Sequence, residues 1–177
     1  MEENLQFEVK TALSREDFQS FYLLHKKAWN RGLYILGRVL RILAAVLGLL
    51  LVGAVLVFRL WGDGQLLLRV GLFLLMLALL LLADRFTVSQ LYKANKAALS
   101  GCFAFYENEI RESAEHRSGR YEYGGFVALF HSRGMYYLYL DKGHAFLLPE
   151  RCFTVGRAED FRAFITEKTG LEMKEIK

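Results

Sequence analysis

Cysteine and histidine are the residue types in this chain that could support nucleophilic catalysis. Cys152 beside His131 or His144 would give a thiolate activated by a neighbouring base, if the fold brought their side chains within hydrogen-bonding distance. Cys152 closely follows the only proline, in a context typical of a core position, so we expect it to be structural. Glu107 and Glu109 could form a carboxylate pair, but they flank an expected turn and are predicted to be solvated.

The spacings that metal and phosphate sites require do not occur in the sequence. There is no CxxC, HExxH or HxH, and the adjacent Glu115 and His116 would point to opposite faces of a strand. No helix is predicted after Gly124 and Gly125, so no helix N-terminus is available there to hold an anion. Lysine and arginine are sparse around the tyrosines of Met135–Leu140, which argues against nucleic-acid binding. We therefore predict no metal, no cofactor, no nucleic-acid partner and no enzymatic activity.

The apolar residues are concentrated in one block of the chain, which has 177 residues, 54% of them hydrophobic, and a net charge of +4. Ile42–Phe58 is uncharged and as a helix would cover roughly 25 Å, and snorkelling arginines extend this segment to Leu36–Leu60. Leu66–Ala83 is the second apolar segment. Between residues 42 and 83 the charged residues are Arg59, Asp63 and Arg69. The block predicts two antiparallel transmembrane helices joined by a short turn.

The basic residues indicate how such a hairpin would be oriented. They are more frequent at the outer ends of the two segments than in the turn, which predicts that both termini are cytoplasmic. Six basic side chains at the outer ends could contact anionic headgroups, or their role could be limited to setting the orientation of the hairpin. They are Lys26, Lys27, Arg31, Arg38, Arg41 and Arg85. Trp29 and Trp61 are predicted to be interfacial anchors.

The segments that flank the hairpin have their own patterns. Leu5–Leu13 alternates like a strand, and Ser14 is expected to cap an amphipathic helix with acidic residues in its first turn. The aromatic residues of that helix would either lie in the headgroup layer or pack on the cytoplasmic domain; they are Phe18, Phe21 and Tyr22. After the second span, a helix is predicted over Asp84–Leu99, ending at Ser100 and Gly101 with the glycine as its stop.

From Cys102 onward the hydrophobic period changes from about 3.6 to 2. A final helix is predicted from Ala158 to Thr169, stopped by Gly170. The predicted strands are Cys102–Tyr106, Glu109–Ala114, Arg120–Tyr123, Phe126–His131, Met135–Leu140 and Ala145–Leu148. The fold class is therefore α+β: a transmembrane hairpin plus a small antiparallel β barrel or sheet with a C-terminal helix. The expected domains are 1–32, 33–100 and 101–177, and the sequence leaves open whether the N-terminal strand joins the sheet.

Three stretches resemble the YcxB-like family of bacterial membrane proteins. They are Phe103–Ile110, Tyr121–Tyr123 and Met135–Phe153. In the last stretch, aliphatic residues are followed by Pro149, Glu150 and Arg151, and Glu150 stands where the family commonly has a basic residue. The resemblance implies a pleckstrin-homology-like domain held at the bacterial inner membrane. It transfers no catalytic residue, because these positions are packing residues.

These patterns predict a binding module, and two other functions stay open. In the favoured interpretation, the hairpin anchors a cytoplasmic domain that binds a protein, a peptide or a lipid headgroup. The first alternative is an oligomeric membrane component of a transport or regulatory complex, and homo-oligomers are compatible with either. The second alternative is an enzyme with an unrecognised Cys/His site.

Overall fold

The structure is a computed structural model that describes residues 4–57, 64–95, 99–114 and 117–176. The helices in these ranges are α1 (Arg15–Trp29), α2 (Arg31–Val57), α3 (Gly64–Asn95) and α4 (Ala158–Thr169). The strands are β1 (Leu5–Ala12), β2 (Ser100–Tyr106), β3 (Glu109–Ala114), β4 (Arg117–Glu122), β5 (Ala128–Ser132), β6 (Met135–Tyr139), β7 (Ala145–Pro149), β8 (Phe153–Val155) and β9 (Met173–Glu175). Short 3-10 turns lie at Tyr123–Gly125 and Glu150–Cys152.

Two compact units divide the chain. The first, which we call the β-rich unit, contains the residues up to Leu24 and those from Tyr92 onward. The second, the helical unit, is His25–Leu91. Helices α1 and α3 each contribute residues to both units, so the chain passes between the units within continuous helices.

The strands of the β-rich unit form two sheets. One has five strands in the order β4-β3-β2-β1-β8, and the other has four in the order β7-β6-β5-β9. All pairings are antiparallel except β5 with β9, which is parallel. The N-terminal strand does join the sheet, where it lies between β2 and β8. This answers the question that the sequence left open.

The mixed α+β class is confirmed, but the sheets among the described residues do not close into a barrel. The parallel pairing of β9 also corrects the expectation of a purely antiparallel arrangement. Strands β8 and β9 have three residues each and were not predicted, because so short a segment carries no periodicity of its own. They exist as strands through pairing with β1 and β5.

A single hydrophobic core is shared by the two sheets and α4. Alternation along β1 directs Phe7 and Val9 inward, and helical spacing along α4 does the same for Phe161 and Ile165. The ring of Phe161 meets the ring of Phe7 edge-on, with centroids 5.3 Å apart. Helix α4 has the predicted bounds, and Gly170 ends it in the left-handed conformation with φ at 66°.

Gly101 does not stop a helix, which corrects the sequence prediction. It lies in β2 opposite Thr11 of β1, and a Cβ atom there would approach the Cβ of Ala114 to 3.3 Å. Helix α3 ends at Asn95, and residues 96–98 lie outside the described ranges. Serine followed by glycine is compatible with the end of a helix and with a tightly packed strand. In this chain the pairing with β1 makes the segment a strand.

The helical unit contains two helices that are long and apolar enough to cross a membrane, at Tyr34–Leu56 and Gly64–Asn95. They contact each other at Gly48, where a Cβ atom would lie 3.0 Å from Leu77 Cδ2. Most of their apolar side chains are exposed, and Leu49 reaches 74%. A surface of this kind is unusual for a protein that is surrounded only by water.

Candidate functional site

A cavity of about 400 Å³ in the β-rich unit is lined by residues of both sheets and of α1. We call it the intersheet cavity. Its apolar lining consists of Leu13, Phe18, Phe21, Leu99, Phe103, Leu140, Ala145, Phe146 and Leu147. Its polar lining includes Thr11, Asn95, Glu112, Tyr121, Asp141 and His144. A mainly apolar wall with a few polar groups is typical of pockets that bind small molecules.

Glu112 is a buried polar residue of the cavity wall. It is on β3 two residues after Ile110, so both side chains point to the inner face of the five-stranded sheet. Only 3% of Glu112 is exposed, and its Oε2 accepts a hydrogen bond of 2.8 Å from the hydroxyl of Tyr121. The tyrosine ring lies over Gly119, where a Cβ atom would come within 2.7 Å of the hydroxyl oxygen. Glycine at this position therefore lets Tyr121 reach the carboxylate.

The ring of Phe146 forms one aromatic wall of the cavity. It lies 4.7 Å from the ring of Phe103 and 4.9 Å from the ring of Tyr121, measured between centroids. Phe103 comes from β2 and Phe146 from β7, so this contact joins the two sheets beside the cavity. Edge-on and tilted aromatic pairs of this kind stabilise a fixed ring arrangement. The wall is therefore held in place before any ligand enters.

A polar turn between β6 and β7 forms the rim of the cavity. Asp141 accepts hydrogen bonds from the backbone N–H groups of Gly143 and His144, and its Oδ2 lies 2.8 Å from His144 Nδ1. The hydrogen bond with His144, together with that of the Gly143 N–H, holds the pKa of Asp141 below its ordinary value. The side chains of Asp141 and His144 are 59% and 76% exposed, so this rim is in contact with solvent.

The first half of α1 covers the cavity. The ring of Phe21 stacks on Tyr137 with centroids 6.3 Å apart, and the ring of Phe18 lies 6.0 Å from that of Tyr92. Burial raises the pKa of Tyr137 to about 12. Of the two interpretations that the sequence left open for the helix, packing on the β domain is confirmed for Phe18 and Phe21.

The start of α1 is fixed by a reciprocal cap. Ser14 N–H donates to Asp17 Oδ2 at 2.8 Å, and Asp17 N–H donates to Ser14 Oγ at 3.2 Å. Arg151 also donates to Asp17 Oδ2, which connects the helix to the 3-10 turn after β7. Burial opposes ionisation of Asp17, but the bonds from Arg151 and Ser14 outweigh it and hold the pKa below its ordinary value.

The nucleophile considered in the sequence is not assembled. Cys152 is half-buried against the hydrophobic core. His131 lies between the carboxylates of Glu150 and Glu175, and His144 pairs with Asp141. Within the described ranges, no hydrogen bond joins Cys152 to either histidine. No group of three or more potential metal ligands occurs in the part of the chain that the structure describes.

The carboxylates of Glu107 and Glu109 each pair with a cation. Glu107 contacts Lys168 of α4, and Glu109 contacts Arg111 of its own strand. Both line an open depression of about 440 Å³. The charge of each carboxylate is therefore compensated locally, as expected for residues beside a surface turn.

The residues predicted to contact headgroups lie on α1, α2 and α3. Lys26 and Arg41 each bind Asp84, at 2.8 and 2.7 Å. The other predicted basic residues are exposed; they are Lys27, Arg31, Arg38 and Arg85. Trp29 is half-buried, and Trp61 lies outside the described residues. Whether any of these side chains contacts lipid stays a prediction.

The comparisons with known proteins bear on the segment that builds most of the two sheets. Residues 105–165 match the family model described as YcxB-like protein. This confirms the family resemblance that was predicted from the sequence. The YcxB-like segment runs from the end of β2 into α4, and it contains Glu112, Tyr121 and Phe146 of the cavity wall. Comparison with curated proteins and with solved structures gives no match.

Sequence reasoning missed the cavity and its buried carboxylate. Glu112 was considered only as part of a strand, and Tyr121 only as part of a strand and of a family motif. The signal that could have found Glu112 is its position two residues after Ile110, which places both on one face of β3. The cavity itself has no signal in the sequence, because its walls come from β1, α1, β2–β4 and β7.

Proposed function

We propose that this protein is a binding module anchored in the bacterial inner membrane, and that its intersheet cavity takes up a small apolar ligand or an apolar side chain of a partner protein. The observation that carries the proposal is the cavity of about 400 Å³ with preformed aromatic walls. Its volume lies within the roughly 300–1,000 Å³ that small-molecule sites commonly have. No catalytic step is part of the proposal.

The anchor in this proposal is the pair of helices α2 and α3, with both termini in the cytoplasm. Tyr34–Leu56 has 23 residues, about 35 Å of helix, which is enough for a hydrocarbon layer of about 30 Å. The exposed basic residues near the outer helix ends, such as Arg31, Arg38 and Arg85, favour that end facing the cytoplasmic leaflet. The exposed leucines of both helices would then face lipid.

The β-rich unit in this proposal is pleckstrin-homology-like, as the family resemblance implies. Two sheets that share a core with a C-terminal helix support that relationship. The resemblance supports the fold only, so the binding role depends on the cavity itself. An oligomeric transport component remains a lesser alternative, with no observation of its own in the described residues.

A fluorine reporter in the cavity wall tests the binding role. The full chain would be placed in nanodiscs with 4-fluorophenylalanine at Phe146, and benzyl alcohol would be titrated while the ¹⁹F shift is recorded. We expect a saturable shift at Phe146 and none at the same label placed at Phe164, which contacts the core outside the cavity lining. Equal or non-saturable shifts at both labels would contradict the proposal, because they would report partitioning into lipid.

Two matched alanine variants complete the experiment. Ala145 and Ala128 lie opposite the same residue, Tyr139, on its two neighbouring strands, but only Ala145 lines the cavity. Ala145→Phe should fill the cavity and abolish the saturable shift, whereas Ala128→Phe should retain it. Retention in both variants would place the binding elsewhere and overturn the proposal.

A further inference from the structure

We propose that the ligand of the intersheet cavity is an organic ammonium ion, a small molecule with an apolar body and one protonated amine, and that Glu112 binds its charge. This inference rests on the proposed binding function and names the chemical class of the ligand. It predicts a preference that an apolar pocket alone would not show. A cation should bind more tightly than a neutral molecule of the same shape, and a neutral molecule more tightly than an anion.

The charged lining of the cavity differs in sign from the chain as a whole. The chain has 23 lysines and arginines against 19 aspartates and glutamates. Among the described residues that line the cavity, Glu112 and Asp141 carry carboxylates, none is a lysine or an arginine, and His144 lies at the exposed rim beside Asp141. The hydrogen bonds from His144 and from the Gly143 N–H keep the pKa of Asp141 low, so this carboxylate stays ionised near neutral pH. Carboxylates in a partly enclosed site attract cations and repel anions.

Glu112 places a carboxylate in the wall itself, where only 3% of the residue is exposed. Burying a carboxylate costs free energy, and replacing buried ionic groups by apolar ones is often neutral or stabilising. The stability of the sheet therefore does not call for a glutamate at this position, whereas a cationic ligand does. A carboxylate has about four acceptor positions, so an ammonium N–H can bind Glu112 while the bond from Tyr121 is kept.

The aromatic wall next to Glu112 suits the same cation. Tyr121 donates its hydrogen bond to Glu112, and its ring lies 4.9 Å from that of Phe146, which in turn lies 4.7 Å from that of Phe103. Aromatic rings attract ammonium ions and recur in sites that recognise them. An amine bound at the carboxylate would therefore lie beside these rings, while its apolar body would contact the aliphatic part of the lining.

Three molecules of similar size and different charge test the class of ligand. Benzylammonium, benzyl alcohol and benzoate would each be titrated at neutral pH into the full chain, held in nanodiscs of zwitterionic lipid, with 4-fluorophenylalanine at Phe146 as the reporter. We expect benzylammonium to bind about tenfold more tightly than benzyl alcohol, the effect of one hydrogen bond to a charged group, and benzoate to give no saturable shift. The same label at Phe164, outside the cavity lining, again controls for partitioning into lipid.

A pair of glutamine variants locates the preference at Glu112. Glu112→Gln keeps the length of the side chain and an acceptor for the Tyr121 hydroxyl but removes the charge, so the ratio of the affinities for amine and alcohol should fall to about one. The matched control is Glu109→Gln on the same strand, whose side chain lies on the opposite face of the sheet and pairs with Arg111; here the ratio should stay about tenfold. If Glu112→Gln fails to fold, the ¹³C shift of the Glu112 carboxyl carbon in the wild type replaces it, and benzylammonium should move this signal further than benzyl alcohol does.

The outcomes separate this inference from the function on which it rests. If benzyl alcohol binds and the wild-type ratio is near one, or if the tenfold ratio survives in Glu112→Gln, the ammonium ligand is wrong and the binding function stands. Benzoate binding more tightly than benzyl alcohol would also overturn the ammonium ligand. The absence of a saturable shift at Phe146 with all three molecules would overturn both proposals.

Discussion

Replacing Gly156 with alanine tests how tightly the core is closed around Phe7. Gly156 has φ at 76°, and a Cβ atom there would lie 2.7 Å from Phe7 Cε1 and 2.9 Å from the Gln6 carbonyl oxygen. Alanine in the left-handed region costs about 1 kcal/mol. Displacing a ring that is only 7% exposed adds about 1–3 kcal/mol of overpacking. We therefore expect Gly156→Ala to lower the free energy of unfolding of the β-rich unit by about 2–4 kcal/mol.

Gly170 provides the matched control for this variant. Its φ of 66° is similar, but nothing lies within 4 Å of a Cβ atom built there. Gly170→Ala should therefore cost only the backbone strain, about 1 kcal/mol. The difference between the two variants isolates the contacts with Phe7 and with the Gln6 carbonyl oxygen.

The assay must report on the β-rich unit alone. Trp29 belongs to the helical unit and Trp61 lies outside the described residues, so tryptophan fluorescence would not report on the β-rich unit. The slowest-exchanging amides of β2 and β3, measured by hydrogen exchange of the full chain in detergent, report on opening of the five-stranded sheet. Equal losses in Gly156→Ala and Gly170→Ala would refute the reasoning, because the core would then accommodate an extra methyl group without cost.

Three other substitutions in the β-rich unit can be followed by the same exchange measurement. Phe161→Ala removes a fully buried ring and should cost about 3–5 kcal/mol; a loss below 1 kcal/mol would mean that the core collapses around the gap. Asp17→Asn removes the charge bound by Arg151. Because the folded state lowers the pKa of Asp17, wild type should be the more stable protein near neutral pH, and this advantage should disappear as pH falls below about 4; an advantage independent of pH would contradict that origin. Gly119→Ala should displace the Tyr121 hydroxyl from its buried carboxylate and cost about 1–3 kcal/mol, whereas an unchanged protein would show that the ring has another place to lie.

The elements with strong local signals were predictable from the sequence. Strand β3 has the predicted bounds, Glu109–Ala114, since alternation and flanking turns define it without help from the rest of the chain. Helix α4 also has the predicted bounds, because acidic residues at its start and Gly170 at its end are local features. The two apolar helices follow from composition alone.

The pairing of the strands could not all be predicted from local sequence patterns. If consecutive strands form hairpins, strands that follow each other in sequence should pair, and this is correct for β2–β3–β4 and β5–β6–β7. It does not predict that β1 enters between β2 and β8, or that β9 pairs in parallel with β5. Both pairings join segments far apart in the chain, where the free energy comes from burying Phe7 and Met173 in the common core.

Glu112 shows where sequence reasoning about the site reaches its limit. Alternation after Ile110 places this glutamate on the inner face, and that much is local. A charged residue on an inner face predicts either a compensated buried group or a wall of a cavity, and the choice depends on what lies opposite. Here Gly119 makes room for the ring of Tyr121, and Phe146 arrives from the other sheet to pack on it. A polar residue at a buried position of a strand therefore indicates that the strand should be examined for a functional site. Whether a binding site is present depends on the side chains that the fold packs against that residue.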